Sequence, residues 1–146
     1  MREALNLARK AGELGEVPVG CIIVKDGKII SRGYNRREID SNALLHAEII
    51  AIDAACRATG DWRLEKCSLY VTLEPCLMCA GAILNSRIPQ VFFGAHDSAA
   101  GACGGVINVF LEGFVPGPAI MGGIMEEECA KILRDFFKYI RKNSQT

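Results

Sequence analysis

Two short segments of the sequence combine side chains that bind metals with one that moves protons. The first reads His46-Ala47-Glu48, and the second, at 75–79, reads Pro-Cys-Leu-Met-Cys and supplies Cys76 and Cys79. Each segment stands at the predicted start of a helix, directly after a loop or a strand. Helix N-termini carry partial positive charge, which lowers thiol pKa values and stabilises the thiolates that zinc requires. The spacing therefore predicts that His46, Cys76 and Cys79 bind one zinc ion.

Three protein ligands leave the fourth position of a tetrahedral zinc site open to water, as in catalytic sites. A closed structural site would need a further ligand, and an isolated cysteine such as Cys67 or Cys103 would have to supply it. A lone Cys-x-x-Cys pair is also found in thioredoxin-like redox sites. The accompanying His-x-Glu segment favours the open zinc site over both alternatives.

Glu48 lies two positions beyond the proposed ligand histidine, so it is free to face the open metal position. A carboxylate there can take a proton from water and pass it to a ring nitrogen, although Glu48 could also be an exposed helix-start carboxylate. His-x-Glu followed by Pro-Cys-x-x-Cys is the established signature of zinc nucleobase deaminases. The motif therefore predicts hydrolytic removal of an amino group, with Glu48 as the catalytic residue.

Composition predicts a single soluble domain over residues 1–146. Half of the residues are hydrophobic, yet no apolar run approaches the roughly 18 to 20 residues that span a bilayer. No signal peptide is evident at the N-terminus, so we expect a cytoplasmic protein whose seven cysteines are thiols. Seventeen basic and seventeen acidic residues cancel, so the net charge neither predicts nor excludes a nucleic acid partner.

Hydrophobic periodicity and turn residues predict an α/β fold. Asp26-Gly27 is a strong hairpin turn, and the strand, helix, strand order over 68–94 is typical of a parallel crossover. The predicted helices span 2–14, 46–58, 75–85 and 125–141, and the predicted strands span 18–24, 28–34, 68–73, 90–94 and 119–121.

Further segments extend the similarity beyond the metal motif. They are Gly-Glu-Val-Pro-Val-Gly at 15–20, Asp-Trp-Arg-Leu at 61–64, Leu-Tyr-Val-Thr-Leu-Glu-Pro-Cys at 69–76 and Met-Cys-Ala-Gly-Ala-Ile at 78–83. With these segments the chain resembles the bacterial tRNA-specific adenosine deaminases of the cytidine and deoxycytidylate deaminase superfamily over nearly its whole length. The resemblance implies a single-domain, three-layer α/β/α fold with a central mixed sheet of about five strands.

The resemblance also implies an activity, partners and substrate contacts. The expected reaction converts adenosine to inosine at the wobble position of a tRNA and releases ammonia, with one Zn²⁺ per subunit of a homodimer that binds the anticodon stem-loop. Asn35 is expected to hydrogen-bond the purine, the Ala47 backbone to lie beside the base, and Val19 and Leu73 to form pocket walls. Val19 and Leu73 are also typical of strand residues in a hydrophobic core, and Asn35 could simply end a strand.

The last predicted helix alternates basic and aromatic residues, which suits either an RNA-facing rim or a solvated helix packed by its phenylalanines. These residues are Lys131, Arg134, Lys138, Arg141 and Lys142, with Phe136, Phe137 and Tyr139 between them. Arg36 and Arg37 could add to the same surface.

Two segments depart from the family pattern, and both concern RNA contacts. Asn-Ala-Leu-Leu at 42–45 replaces a sequence similar to Asp-Pro-Thr-Ala, and Ser98-Ala99 replaces a common Pro-Lys pair after Asp97. Two alternative functions remain open: a free-base or nucleotide deaminase of guanine or cytidine type, and a non-catalytic zinc-stabilised RNA-binding module.

Overall fold

The structure is a computed structural model that describes residues 1–114 and 117–145. The predicted domain range 1–146 therefore includes three residues, Val115, Pro116 and Thr146, that lie outside the described residues. The helices are α1 (Arg2–Glu13), α2 (Ala47–Thr59), α3 (Leu77–Asn85) and α4 (Glu126–Asn143), with a short 3-10 turn at Val109–Leu111. The strands are β1 (Gly20–Lys25), β2 (Lys28–Tyr34), β3 (Cys67–Leu73), β4 (Gln90–Ala95) and β5 (Ala119–Met121).

The strands form one mixed sheet in the order β2-β1-β3-β4-β5. Strand β1 is antiparallel to both β2 and β3, whereas β4 is parallel to β3 and β5. Asp26 and Gly27 both have positive φ, as the predicted two-residue hairpin turn between β1 and β2 requires. The predicted parallel crossover is confirmed by β3, α3 and β4, and β5 lies at the sheet edge as expected.

Helices cover both faces of this sheet and give the predicted three-layer α/β/α architecture. Gly20 of β1 lies against the backbone of α1, while Gly33, paired with the next residue of β1, lies against the backbone of α2. Because neighbouring residues of a strand point to opposite faces, α1 and α2 lie on opposite sides. Helix α3 packs beside α2 and α4 packs beside α1. The main apolar core lies between the sheet and the α2 and α3 layer.

The predicted starts of two helices are wrong by one and two residues. Helix α2 begins at Ala47, because His46 is its N-cap with an extended backbone, and α3 begins at Leu77, because Cys76 is its N-cap. Pro75 consequently precedes the helix and does not form part of its first turn. Both proposed ligand residues at these positions are N-caps, the half-helical position that joins an extended segment to the first turn.

Within the described residues, no helix combines the length and apolarity needed to cross a membrane.

Gly33 permits the first turn of α2 to approach β2 closely. A Cβ atom at this position would overlap the Ala47 carbonyl oxygen and approach the Ala51 nitrogen to 2.8 Å. We therefore expect Gly33→Ala to lower the free energy of unfolding by about 1–3 kcal/mol, because the overlap is with backbone that cannot rotate away. Urea-induced unfolding followed by circular dichroism measures the change.

Gly12→Ala provides the matched control, because a Cβ there would meet Pro18 at an ordinary 3.5 Å within α1. That variant should keep or slightly raise the stability, since alanine favours a helix over glycine. Equal stability of the Gly33 and Gly12 variants would contradict the close approach described above.

Candidate active site

The N-termini of α2 and α3 meet on one face of the sheet and bring the predicted metal ligands together. His46 is the N-cap of α2, Cys76 is the N-cap of α3, and Cys79 lies in the first turn of α3. The His46 Nδ1 atom is 3.6 Å from the Cys76 Sγ atom and 3.6 Å from the Cys79 Sγ atom. All three ligand atoms lie within 4.8 Å of one another.

These separations fit a tetrahedral zinc ion. Bond lengths of about 2.0–2.1 Å to nitrogen and about 2.3 Å to sulfur place a tetrahedral N···S edge at about 3.6 Å. Among the described residues these three side chains form the one group suited to a metal, and neither Cys67 nor Cys103 belongs to it. The closed four-ligand alternative is therefore not supported, and the geometry leaves one coordination position free.

Hydrogen bonds among the ligands prepare a thiolate. A hydrogen bond with Cys79 and a second with His46 lower the pKa of Cys76 to about 4, against the opposing effect of burial. The same hydrogen bond raises the pKa of Cys79, and the Cys76 partner raises the pKa of His46. Zinc binds thiolates, so both cysteines must release their protons when the metal binds.

Glu48 lies on the first turn of α2 and lines the same cavity as His46 and Cys76. The residue is only 4% exposed, and this burial raises the pKa of its carboxyl group, while a hydrogen bond with Cys79 opposes the shift. A carboxyl group with a raised pKa both accepts and donates a proton more readily near neutral pH. The alternative of an exposed helix-start carboxylate is wrong.

The cavity is lined by every residue that the sequence indicated for metal, proton transfer or substrate, except the buried Cys79. Val19 is part of the main apolar core, and Leu73 packs against that core. Both residues therefore contribute to the core and also line the cavity, so both interpretations made from the sequence hold. The lining residues are Val17, Val19, Asn35, Arg37, His46, Ala47, Glu48, Leu73, Glu74, Cys76, Asp97 and Ala100. Of these, Val17, Glu74, Asp97 and Ala100 were not predicted as site residues, and Arg37 was considered only for an RNA-facing surface.

Asn35 is held in place while keeping capacity for a ligand. Its Nδ2 atom donates to the Val17 carbonyl oxygen at 3.2 Å, and its Oδ1 atom accepts from the Arg37 backbone N–H at 3.2 Å. A carboxamide has two N–H donors and two acceptor lone pairs. One donor and one lone pair of Asn35 therefore remain available at the cavity.

Glu74 fixes one wall of the cavity. Its buried carboxylate accepts backbone N–H bonds from Asp97 at 3.1 Å, from Cys103 at 3.0 Å and from Gly105 at 2.9 Å. These bonds hold the 97–105 loop, which contributes Asp97 and Ala100 to the cavity. The sequence shows a glutamate at the end of an apolar strand and a glycine-rich stretch further along the chain. Neither feature indicates that the glutamate binds the backbone of that stretch.

Glu16 has a comparable role on a second loop. Its Oε1 atom accepts a hydrogen bond from the Ile39 backbone N–H at 2.7 Å, although the residue is only 1% exposed. Its Oε2 atom is buried without a partner among the described residues. The bond ties the 35–45 loop, which carries Asn35 and Arg37, to the segment before β1.

Comparison with known proteins agrees with this geometry. Residues 1–95 match the family model of the cytidine and deoxycytidylate deaminase zinc-binding region. The chain is 47% identical to a tRNA-specific adenosine deaminase of Bacillus subtilis, with 99% of this chain and 91% of that protein covered. It is also 47% identical to the protein of that name from Rickettsia bellii, with 97% and 99% covered.

A solved structure from a study of A-to-I editing by tRNA:A34 deaminases is similar over 91% of this chain and 97% of its own. The TM-score is 0.89 and the sequence identity is 43%. The chain therefore belongs to the tRNA-specific adenosine deaminases, within the zinc-binding cytidine and deoxycytidylate deaminase family.

Proposed function

We propose that this chain hydrolyses adenosine to inosine at wobble position 34 of a tRNA and releases ammonia. The observation that carries the proposal is the three-ligand metal group beside a buried glutamate in one cavity. The adenosine at position 34 is the substrate named for the similar structure, and tRNA-specific adenosine deamination is the activity named for the full-length relatives. Because the motif alone suits any amino-bearing base, these relatives support the choice of substrate.

His46, Cys76 and Cys79 would hold the zinc ion. When bound, zinc held by three protein ligands leaves room for a water molecule and lowers the pKa of that water to about 7. Glu48 accepts a proton as water attacks C6 of adenine, and passes it to N1 of the ring. Glu48 then transfers the proton of the new C6 hydroxyl to the amino group, the C6–N bond breaks and ammonia leaves, so that inosine keeps the oxygen as a C6 carbonyl.

The proposed substrate contacts come from the other cavity-lining residues. The free donor and acceptor capacity of Asn35 suits hydrogen bonds to the purine, and the Ala47 backbone, between His46 and Glu48, suits contact with the same ring. Val19 and Leu73 provide apolar surface for the ring faces. A base must leave its stack to reach this cavity, as in other enzymes that act on bases.

Helix α4 provides a surface suited to the anticodon stem-loop. Lys138, Arg141 and Lys142 are exposed, and Phe137 and Tyr139 are 43% and 65% exposed beside them. This exposure favours an RNA-facing rim over a helix packed by all its aromatic residues, because basic and aromatic side chains bind phosphates and stack on bases. Lys131 and Arg134 instead pair with Asp135 and Glu127. We therefore propose the C-terminal half of α4 as the RNA contact.

We also propose that residues 1–146 form one deaminase domain that acts in the cytoplasm as a homodimer. Support for the dimer comes from a surface depression lined in part by Leu77 and Leu84 of α3 and by Phe114. Leu77 is 63% exposed and Phe114 is 60% exposed, and α3 has no charged residue in its first or last turn. Exposed apolar surface of this kind is typical of protein interfaces.

Glu48→Gln tests the reaction and the catalytic role together. We expect the wild-type protein, loaded with zinc, to form inosine at the wobble position of a synthetic anticodon stem-loop. The variant should keep its zinc and lose at least about 100-fold in kcat, because glutamine cannot accept the proton. Mass spectrometry of digested RNA measures inosine, and elemental analysis measures zinc.

Glu65→Gln, a change of an exposed glutamate, is the control and should retain full activity. Wild-type turnover of free guanine or cytidine with none of the stem-loop would favour the free-base or nucleotide deaminase. A Glu48 variant as active as the wild type would instead contradict the proton-transfer role.

Cys79→Ser tests the ligand set. We expect the bound zinc to fall from one ion per chain to nearly none, with lower thermal stability and lost activity, because the hydroxyl group is a much poorer zinc ligand than a thiolate. Elemental analysis and thermal unfolding measure both effects. Cys103→Ser is the matched control, since Cys103 lies outside the metal group, and it should retain one zinc ion. Loss of zinc from the Cys103 variant would restore the four-ligand alternative.

Phe114→Asp tests the proposed dimer surface. A buried aspartate would face apolar surface of the partner, so we expect self-association to weaken at least about tenfold. Sedimentation equilibrium measures the association constant. Leu14→Asp is the matched control, because Leu14 is 51% exposed beyond the end of α1 and should not affect association. A monomeric wild-type protein, or unchanged association of the Phe114 variant, would contradict the proposal.

A further inference from the structure

We propose that Arg37 binds the RNA backbone phosphate that flanks the adenosine in the cavity. This inference rests on the proposed function and adds a binding residue at the mouth of the same site. The charge balance of the cavity supports this contact. Besides the metal-binding side chains, the ionisable residues that line it are Glu48, Glu74, Asp97 and Arg37, so Arg37 is the one cation among the described lining residues outside the metal group.

A polyanionic substrate needs a cation at this place. The three carboxylic residues would repel a phosphate brought in beside the base, because like charges at short range raise the energy of the complex. The 97–100 segment of the wall contains aspartate, serine and two alanines and supplies no basic side chain. The 35–45 loop must therefore supply the positive charge at the cavity mouth.

The guanidinium group of Arg37 is available for such a contact. Its side chain is 52% exposed, and its acidic neighbour Glu38 is 3.8 Å away and 75% exposed. Exposed pairs at this distance contribute little, so exchanging Glu38 for a phosphate costs little. Arginine also presents several N–H groups in a planar fork that suits two phosphate oxygens at once.

The adjacent Arg36 is engaged elsewhere. Its Nε and Nη2 atoms donate to the two oxygens of Asp40 at 2.7 and 3.1 Å, and its Nη1 atom donates to the Tyr34 hydroxyl at 2.8 Å. Its guanidinium group also lies over the Tyr34 ring. The two consecutive arginines therefore differ in role: Arg36 stabilises the loop through Asp40 and Tyr34, and Arg37 lines the cavity.

The loop holds Arg37 in a fixed relation to the base-contacting residue. The Arg37 backbone N–H donates to Asn35 Oδ1, and the Ile39 backbone N–H two residues later donates to Glu16. Because both anchors are made by the backbone, substitution of the Arg37 side chain leaves them in place. A phosphate next to the base bound at Asn35 would therefore lie near a cation on an ordered loop, which reduces the entropy lost on binding.

Arg37→Ala provides the first test. We expect KM for the anticodon stem-loop to rise about tenfold or more while kcat changes less than about twofold, and the slope of log affinity against log salt to fall by about 1. Arg37→Lys should keep the salt slope but recover only part of the affinity. Arg57→Ala is the matched control, since Arg57 is 80% exposed and pairs with Asp53 at 3.1 Å on α2. It should change neither parameter.

Neutral phosphate analogues identify the contact. Stem-loops carrying a methylphosphonate on the 5′ or the 3′ side of the adenosine remove one charge at a time. For one of these linkages, the wild-type KM should rise by the same factor as the Arg37→Ala substitution causes on the unmodified RNA. The KM of the Arg37→Ala variant should not rise further on that modified RNA. Inosine formation by the wild type with an unchanged KM and salt slope in Arg37→Ala would overturn the phosphate contact alone. A wild type that forms no inosine would overturn the proposed function and this inference with it.

Discussion

A metal ion held by residues from two helices constrains where both helices begin. His46 and Cys76 are N-caps, and the His46 Nδ1 atom lies 3.6 Å from both thiol sulfur atoms. The sheet supplies this arrangement, because Gly33 admits the first turn of α2 against β2 and the parallel crossover from β3 to β4 carries α3 beside it. Backbone packing thus brings the three ligands together.

Two buried glutamates hold the backbone of the loops around the cavity, just as backbone packing holds the helix starts. Glu16 accepts a backbone N–H from the 35–45 loop, and Glu74 accepts three from the 97–105 loop. A buried carboxylate is costly unless such donors satisfy it, so the 97–105 loop and Glu74 stabilise each other, whereas only one oxygen of Glu16 has a partner among the described residues. The cavity is consequently bounded by ordered loops although its chemistry resides on helices.

The sequence was informative where structure depends on local rules. Asp26-Gly27 predicted the hairpin, and the Cys-x-x-Cys and His-x-Glu spacing predicted the metal group, because these features need only a turn type or the repeat of a helix. The N-cap positions of His46 and Cys76 were misplaced because helix ends are the least certain part of such a pattern. The anchoring by Glu74 could not be predicted, since its partners lie 23 to 31 positions along the chain. The hydrogen bonds of Arg36 with Asp40 and Tyr34 are close in sequence, but they depend on the folding of the aperiodic 35–45 loop and so could not be predicted either.

The contact between Glu74 and the glycine-rich loop has a consequence for how this cavity can be altered. A Cβ atom at Gly101 or Gly105 would meet both the Glu74 carboxylate and the Asp97 carbonyl oxygen, so glycine is required at both positions by a side chain and by backbone. Residues 98–100 are exposed, and Ala100 lines the cavity. Natural variation or protein engineering can therefore change the substrate range through substitutions at 98–100. Glu74, Gly101 and Gly105 would keep the loop backbone in place during such changes.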